Sequence, residues 1–290
     1  MKHFLSILFL TYFSCISISA QDRFFYLGQP YTYKDSVLLD HSHLNLIYRH
    51  EFRQNTMSQP MWSNIKIQIG KKVIKQMDMH IHICNLWRKI SEESPGIIPN
   101  KKELALYGDC NHPYFSEVIS FIKEDSIRVT CCNFLLAANY SPLVYYELTP
   151  KMDWILLNDV DTVAGYSCKT ALTHFRGRVW KVWYAQEIPI MTGPWKLCGL
   201  PGVILRAIDE EKTYSFECTE INTTPQLIYD YIPTTVKYIK RHQYLIYEQR
   251  YHKDPQSIRA DGIDIFKSDQ EGVKKIDAPW QILYSPIEFE

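Results

Sequence analysis

His80, His82 and Cys84 stand two apart, a spacing that on a β-strand lines three side chains along one face with neighbours about 7 Å apart. Imidazole nitrogens and a thiolate suit zinc or copper, so such a face would handle metal if a fourth ligand came from elsewhere. The same spacing also fits an edge strand with solvated histidines, whose other face carries Met79, Ile81 and Ile83. Arg176 and Arg178 form a second constellation. Two apart on a strand, they would share a face and could clamp a carboxylate or brace the carbonyl groups of a neighbouring loop. The third is Cys168 with Cys218, each at the inward phase of an alternating segment, beside Tyr166 and Thr170 in one case and Tyr214 and Phe216 in the other. Both are expected to be buried, and joining them requires α-carbons within about 7 Å.

Other chemistry is thinly represented. The sequence has no CxxC, GxSxG, HExxH or P-loop pattern, which removes the usual signals of redox, hydrolase, metalloprotease and nucleotide chemistry. No acid pair is set up for glycoside hydrolysis. These residues favour a non-catalytic binding protein with no cofactor beyond zinc or copper. A secreted enzyme with a scattered active site and a metal-handling protein are the alternatives, because catalytic groups can assemble from distant positions.

The elements that must position these groups read as strands. Leu44, Leu46, Tyr48 and Phe52 recur at even spacing, and Ile65, Ile67 and Ile69 alternate with Lys66 and Gln68 before the turn Gly70-Lys71-Lys72. Tyr214, Phe216 and Cys218 alternate with polar residues after Asp209-Glu210-Glu211-Lys212. Period two with turn residues between runs predicts strands with one face buried. Helical spacing is scarce: Tyr244, Tyr247 and Tyr251 fall on one stripe of Arg241–His252, and Asp254-Pro255 would stop that helix. Residues 89–102, with Ser94-Pro95-Gly96 and Pro99-Asn100, read as a surface loop.

Residues 1–20 read as a secretory signal. Lys2 and His3 precede the apolar run Phe4–Leu10, and Ile18-Ser19-Ala20 offers a small-residue cleavage site before Gln21. The rival reading is lipid attachment at Cys15. Neither this run nor any other reaches the ~20 apolar residues of a transmembrane helix. The rest, residues 21–290, is expected to form one β-rich domain. With 32 basic and 32 acidic residues, nothing steers the chain toward nucleic acid or an anionic membrane. Cys84, Cys110, Cys131, Cys132, Cys168, Cys198 and Cys218 follow the signal, an odd count that leaves at least one thiol unpaired or joined to another chain.

The most unusual stretch holds Phe175-Arg176-Gly177-Arg178, Trp183-Tyr184, Ile188-Pro189-Ile190 and Gly193-Pro194-Trp195-Lys196-Leu197-Cys198-Gly199-Leu200-Pro201-Gly202. Prolines fix φ near −65° and glycines allow angles other residues reach only with strain. The loop is therefore expected to be a rigid turn, anchored by Trp195, at the rim of a binding groove. Arg176, Arg178, Trp183, Tyr184, Pro194, Gly199, Leu200, Pro201 and Gly202 share that rim.

This order resembles the signature of the GLPGLI family, an exported group from Gram-negative bacteria. The six-residue signature appears here as Gly199-Leu200-Pro201-Gly202-Val203-Ile204, with Val203 in place of Leu. Asp153-Trp154, Gly165-Tyr166-Ser167-Cys168-Lys169, Asp254-Pro255 and the closing Tyr284-Ser285-Pro286-Ile287-Glu288 follow the family's order, Ser285 standing where Asn is usual. The resemblance is strong over 152–220, fair over 240–290, weak over 41–78 and absent over 85–125. It implies an exported protein of the periplasm or outer membrane and no established biochemical role. It also implies a partner such as a TonB-dependent outer-membrane receptor or another envelope protein. The order Gly-Tyr-x-Cys, Trp-Tyr strand and Gly-Leu-Pro turn is also similar to outer-membrane lipoprotein carriers, which are curved, incomplete β-barrels around an apolar groove. The expected fold is mainly β: a curved antiparallel sheet or incomplete β-barrel with a few short helices, holding a peptide, lipid or partner protein against its concave face.

Overall fold

The computed structural model describes residues 33–53, 59–93, 116–131, 141–253, 266–269, 272–275 and 286–289. Residues 1–20, expected to be a signal and including Cys15, and the residues Cys110, Cys132, Asp254-Pro255 and Tyr284-Ser285 lie outside them. The described chain is mainly β, as its period-two patterns predict.

In chain order the elements are β1 (Tyr33–Ser42), β2 (Leu44–Phe52), β3 (Met61–Ile69), β4 (Val73–Asp78) and helix α1 (Met79–Glu93). Then come β5 (Ser116–Phe121), β6 (Ser126–Cys131), β7 (Leu143–Leu148), β8 (Ile155–Val163), β9 (Tyr166–Phe175), β10 (Arg178–Ala185), β11 (Val203–Asp209) and β12 (Tyr214–Asn222). β13 (Gln226–Pro233), β14 (Lys237–Tyr238), α2 (Arg241–Lys253), β15 (Phe266–Asp269) and β16 (Gly272–Lys275) complete the order.

Twelve strands form one open sheet in the order β14-β7-β6-β5-β4-β3-β2-β12-β11-β10-β9-β8. Its pairings are antiparallel except the short parallel contact of β14 with β7. Hairpins build much of it. Ala164-Gly165 and Arg176-Gly177 each put two successive residues at positive φ (50° and 83°, 53° and 77°), the requirement of a tight two-residue turn that matches strand twist. β1 and β13 pair as a separate ribbon. It lies on the outer face of the sheet, where Gln68 donates to the Leu227 carbonyl and Lys75 to that of Tyr229. Helix α1 packs against β3 and β4, and α2 against β7.

The sheet is curled. β4 and β10 are separated by β3, β2, β12 and β11, yet Trp195 touches both: its backbone N–H donates to Gln76 Oε1 on β4 at 2.7 Å, and its ring lies 5.5 Å from that of Trp180 on β10. The main core lines the inner face with Leu46, Tyr48, Ile65, Ile67, Trp180, Val182, Leu205 and Phe216, and Trp195, Leu197 and Leu200 of the 186–202 segment pack into it. The chain thereby fills its own concavity. A ligand held against the concave face, the expectation from sequence, would meet Trp195, Leu197 and Leu200 where they pack into this core.

Two local expectations are corrected. Residues 79–84 are the start of α1, although Met79, Ile81 and Ile83 alternate with polar residues as on a strand. Asp78 stands in the N-cap position, where a short acceptor is favoured, and Lys89 pairs with Glu93 at 3.0 Å, one turn apart. The helix also extends through residues 89–93 of the expected 89–102 loop; residues 94–115 lie outside the described part.

Candidate functional site

The hairpin of β9 and β10 ends at Arg176-Gly177, and Arg178 opens β10. The two arginines do not sit side by side on one strand as expected, because Arg176 occupies a turn position at φ 53°. They converge on one target all the same: the chain's own end. The Arg176 carbonyl accepts from the Phe289 N–H at 3.1 Å, and the Arg178 guanidinium donates twice to the Pro286 carbonyl. Arg178 is 3% exposed and also holds Asp209 at 2.6 Å and Glu211 at 3.3 Å. Residues 286–289 form a strap across the hairpin end, with the guanidinium lying 4.6 Å over the Phe289 ring.

Lys196 completes this latch. Its loop is fixed by the Leu197 N–H donating to the Pro194 carbonyl at 3.2 Å and by the Trp195 ring packed 5.3 Å from Phe175. From there the ammonium reaches Glu147 and Glu288, each at 2.5 Å, and Tyr145 Oη at 3.0 Å. Glu147 is also held by Arg176 at 2.6 Å, and Glu288 by Arg241 of α2 at 2.5 Å. Burial alone would raise the Glu288 pKa, but Lys196 and Arg241 hold it below the usual carboxylate range. Three cations face two carboxylates, each carboxylate held from two sides. Such a closed set ties loop, sheet, helix and C-terminal strap together. Lys196, Glu147, Glu288 and Arg241 were not singled out from sequence; only Glu288, within the closing Tyr284-Ser285-Pro286-Ile287-Glu288 stretch, carried a signal that could have found it.

The remaining rim candidates are mostly core. Tyr184, Pro194, Trp195 and Leu200 are buried. Trp183 faces the outer side of the sheet with Lys181 and Arg206 over its ring, each at 5.3 Å. Gly199 and Pro201 are exposed; Gly199 takes φ 92°, and Trp154 Nε1 donates to the Cys198 carbonyl beside it at 3.0 Å. Gly202 is required by a close approach, because a β-carbon there would run into the Ala185 carbonyl oxygen. It has no positive φ.

Residues 80, 82 and 84 belong to helix α1, where a spacing of two does not place positions on one face as it does on a strand; the side chains of His80 and Cys84 lie outside the described part. Among the described residues no three His, Cys, Asp or Glu side chains gather as a metal site. His82 instead places Nε2 2.9 Å from Lys66 Nζ on β3. Burial, then Lys66 and Lys75, push its pKa well below the ordinary value, so the ring is neutral at pH 7. Burial also lowers Lys66, to about 8, against a small opposing pull from Glu220. Nearby, Lys75 pairs with Glu117 at 2.8 Å, and Arg128 bridges Glu117 and Asp230.

Cys168 and Cys218 are both buried, as their strand phase predicts, and both are free thiols, with no disulfide between them. Burial pushes Cys218 and Cys131 up to about 12 and Cys198 up to about 11, so none of the three is a thiolate nucleophile at neutral pH. Ser63 Oγ lies 3.4 Å from His50 Nδ1. That pair sits 0% and 3% exposed against the Phe216 ring, out of a substrate's reach.

Among the described residues β8 is an edge of the large sheet, paired with β9 alone. It carries Ile155, Leu156 and Val160 at 62–65% exposure, and its register slips between Leu156 and Val160. No helix among the described residues is long and apolar enough to cross a membrane, which says nothing of strands.

No family model matches the chain, and no curated protein does. Two solved structures of PNGF-II, in space groups P21 and C2, are similar at 12% and 13% identity with TM-scores of 0.47 and 0.45. The matches cover 78% and 80% of this chain but 39% and 38% of those chains, so the chain spans about two fifths of their length.

Proposed function

We propose that this is an exported, non-catalytic binding protein of the cell envelope, of the GLPGLI type, and that it engages a partner polypeptide along β8. The observation that carries the reading is the exposure of Ile155, Leu156 and Val160 on a sheet edge that no second strand among the described residues pairs with. An open edge offers backbone donors and acceptors to an added strand, and large aliphatic side chains beside it supply apolar area to bury. The titratable groups of the latch support the same reading, since they are spent on one another. Envelope location rests on the leader-like residues 1–20 and on the family resemblance.

The test is site-specific photocrosslinking in cells. A crosslinker at Leu156 is expected to capture an envelope protein, whereas one at Tyr238, exposed on the opposite edge, does not. Equal capture from both positions, or none from Leu156, overturns the assignment. Intact-mass analysis of the same envelope fraction is expected to give a chain starting at Gln21; a chain retaining Met1, or one lipidated at Cys15, would refute the export signal as drawn.

A further inference from the structure

The outer-face cluster under α1 has an unbalanced charge. Lys75 and Arg128 face Glu117 and Asp230, two cations against two anions. Lys66 is the surplus: it is 7% exposed, no carboxylate among the described residues lies in ion-pair range of it, and its partner is the neutral ring of His82. A buried cation without an anion is costly.

Asn85 adds an independent observation. It is 0% exposed, and neither its Nδ2 nor its Oδ1 has a hydrogen-bond partner among the described residues. Three residues after His82, it shares that ring's face of α1, the helix packed on β3, which carries Lys66. An orphaned buried amide forfeits its hydration without return. An unmatched ammonium and an unpartnered buried amide donor on facing elements are what the two oxygens of a small oxyanion would satisfy; Asn85 Oδ1, an acceptor, takes no part in that match.

We propose that Lys66, His82 and Asn85 form a binding site for a small carboxylate anion of the formate or acetate class. One carboxylate oxygen accepts from Lys66 Nζ and the other from Asn85 Nδ2, and His82 lies beside them, its Nε2 2.9 Å from Lys66 Nζ. The enclosure of Lys66 restricts the ligand to a free small anion and keeps out acidic side chains of a docked protein. Binding offsets the Lys66 charge, which adds to burial in keeping His82 neutral, so occupancy reads out on that ring.

The experiment is an NMR pH titration of His82 in the full mature chain, in sodium formate and in sodium chloride of equal ionic strength. Formate is expected to raise the His82 midpoint by about one pH unit relative to chloride, because a bound negative charge favours the imidazolium. Asn85→Leu and Lys66→Met, each folded by its own spectrum, are expected to abolish the formate-dependent shift. No shift in the wild-type chain, or the same shift in both variants, overturns the proposal. Melting temperatures give a second readout: formate is expected to raise that of the wild type and neither variant's, and a rise shared by all three would mark a general salt effect and overturn the site.

Discussion

Lys196 and Lys66 are almost equally hidden, 4% and 7% exposed, and they live under opposite electrostatics. Lys196 meets two carboxylates at 2.5 Å and a tyrosine hydroxyl. Lys66 meets one imidazole. Burial itself is the same expense in both places; what differs is whether the neighbours return it. Around Lys196 they do, and the product is mechanical, a strap and a loop fastened to the sheet. Around Lys66 the described residues do not, and a site they leave unsatisfied is where a ligand has something to supply.

The sharpest way to break that contrast is to remove each ammonium. Lys196→Met leaves Glu147 and Glu288 with less positive charge in a buried setting and is expected to destabilise by about 3–5 kcal/mol. Trp195→Ala belongs with it, at about 3–5 kcal/mol, because the ring fills the core between Phe175 and Trp180. Gly202→Val is expected to cost about 1–3 kcal/mol through collision with the Ala185 carbonyl. Lys66→Met should do the reverse and stabilise by about 1 kcal/mol, since a buried ion is exchanged for an apolar chain of similar size. Chemical denaturation at pH 7 measures all four. A loss at Lys66 as large as that at Lys196 would erase the distinction.

The pH dependence separates the two regions again. The folded pKa of Lys66, about 8, lies below its ordinary 10.5, so the penalty it imposes is full below 8 and fades as pH rises toward 10.5. The gain from Lys66→Met should fade over the same window. His82 is depressed in the folded state, so the unfolded chain takes up the proton first. Its contribution is intact above about 6.5 and declines as pH falls below that, with a slope of up to about 1.4 kcal/mol per pH unit. Glu288 is depressed as well, and its contribution holds above the ordinary carboxylate value of 4.5 and is lost as pH falls through the folded one. Stability profiles of His82→Gln and Glu288→Gln, each subtracted from wild type, should place the first loss near neutral pH and the second in acid. Coincident windows would mean the two regions are one electrostatic unit.

What the sequence disclosed follows the range of the interactions. The strands around Tyr48, Ile67 and Phe216, the turns at 70–72 and 209–212 and the tyrosine stripe of α2 were legible, because each is written in neighbouring residues. Residues 79–84 misled because six alternating residues satisfy a strand as well as a helix, and the decision lay with Asp78 before them and the packing surface of β3 and β4 beneath. The latch was only half visible: Arg176, Arg178 and Trp195 stood out by type, whereas Glu147 and Arg241 are ordinary charged residues until the fold brings them to Lys196. The inner face could not be known to be filled, since nothing in the spacing of 186–202 says whether that segment rims a groove or enters it.

The smallest expected effect on stability falls on β8, which belongs to neither lysine's neighbourhood. Ile155 and Leu156 bury little of their own surface, and the slipped register after Leu156 loosens their tie to β9. Changing both to Ser should alter unfolding free energy by no more than about 0.5 kcal/mol, the usual range for exposed positions without special contacts. If β8 is a docking edge, the same double substitution should still lower capture of the envelope partner from a crosslinker at Val160 several-fold, because the apolar area a docked strand would cover is gone. A folded double variant that captures its partner undiminished would move recognition away from this edge. A variant that melts well below wild type would show instead that these side chains are packed, and would return β8 to the structural half of the molecule.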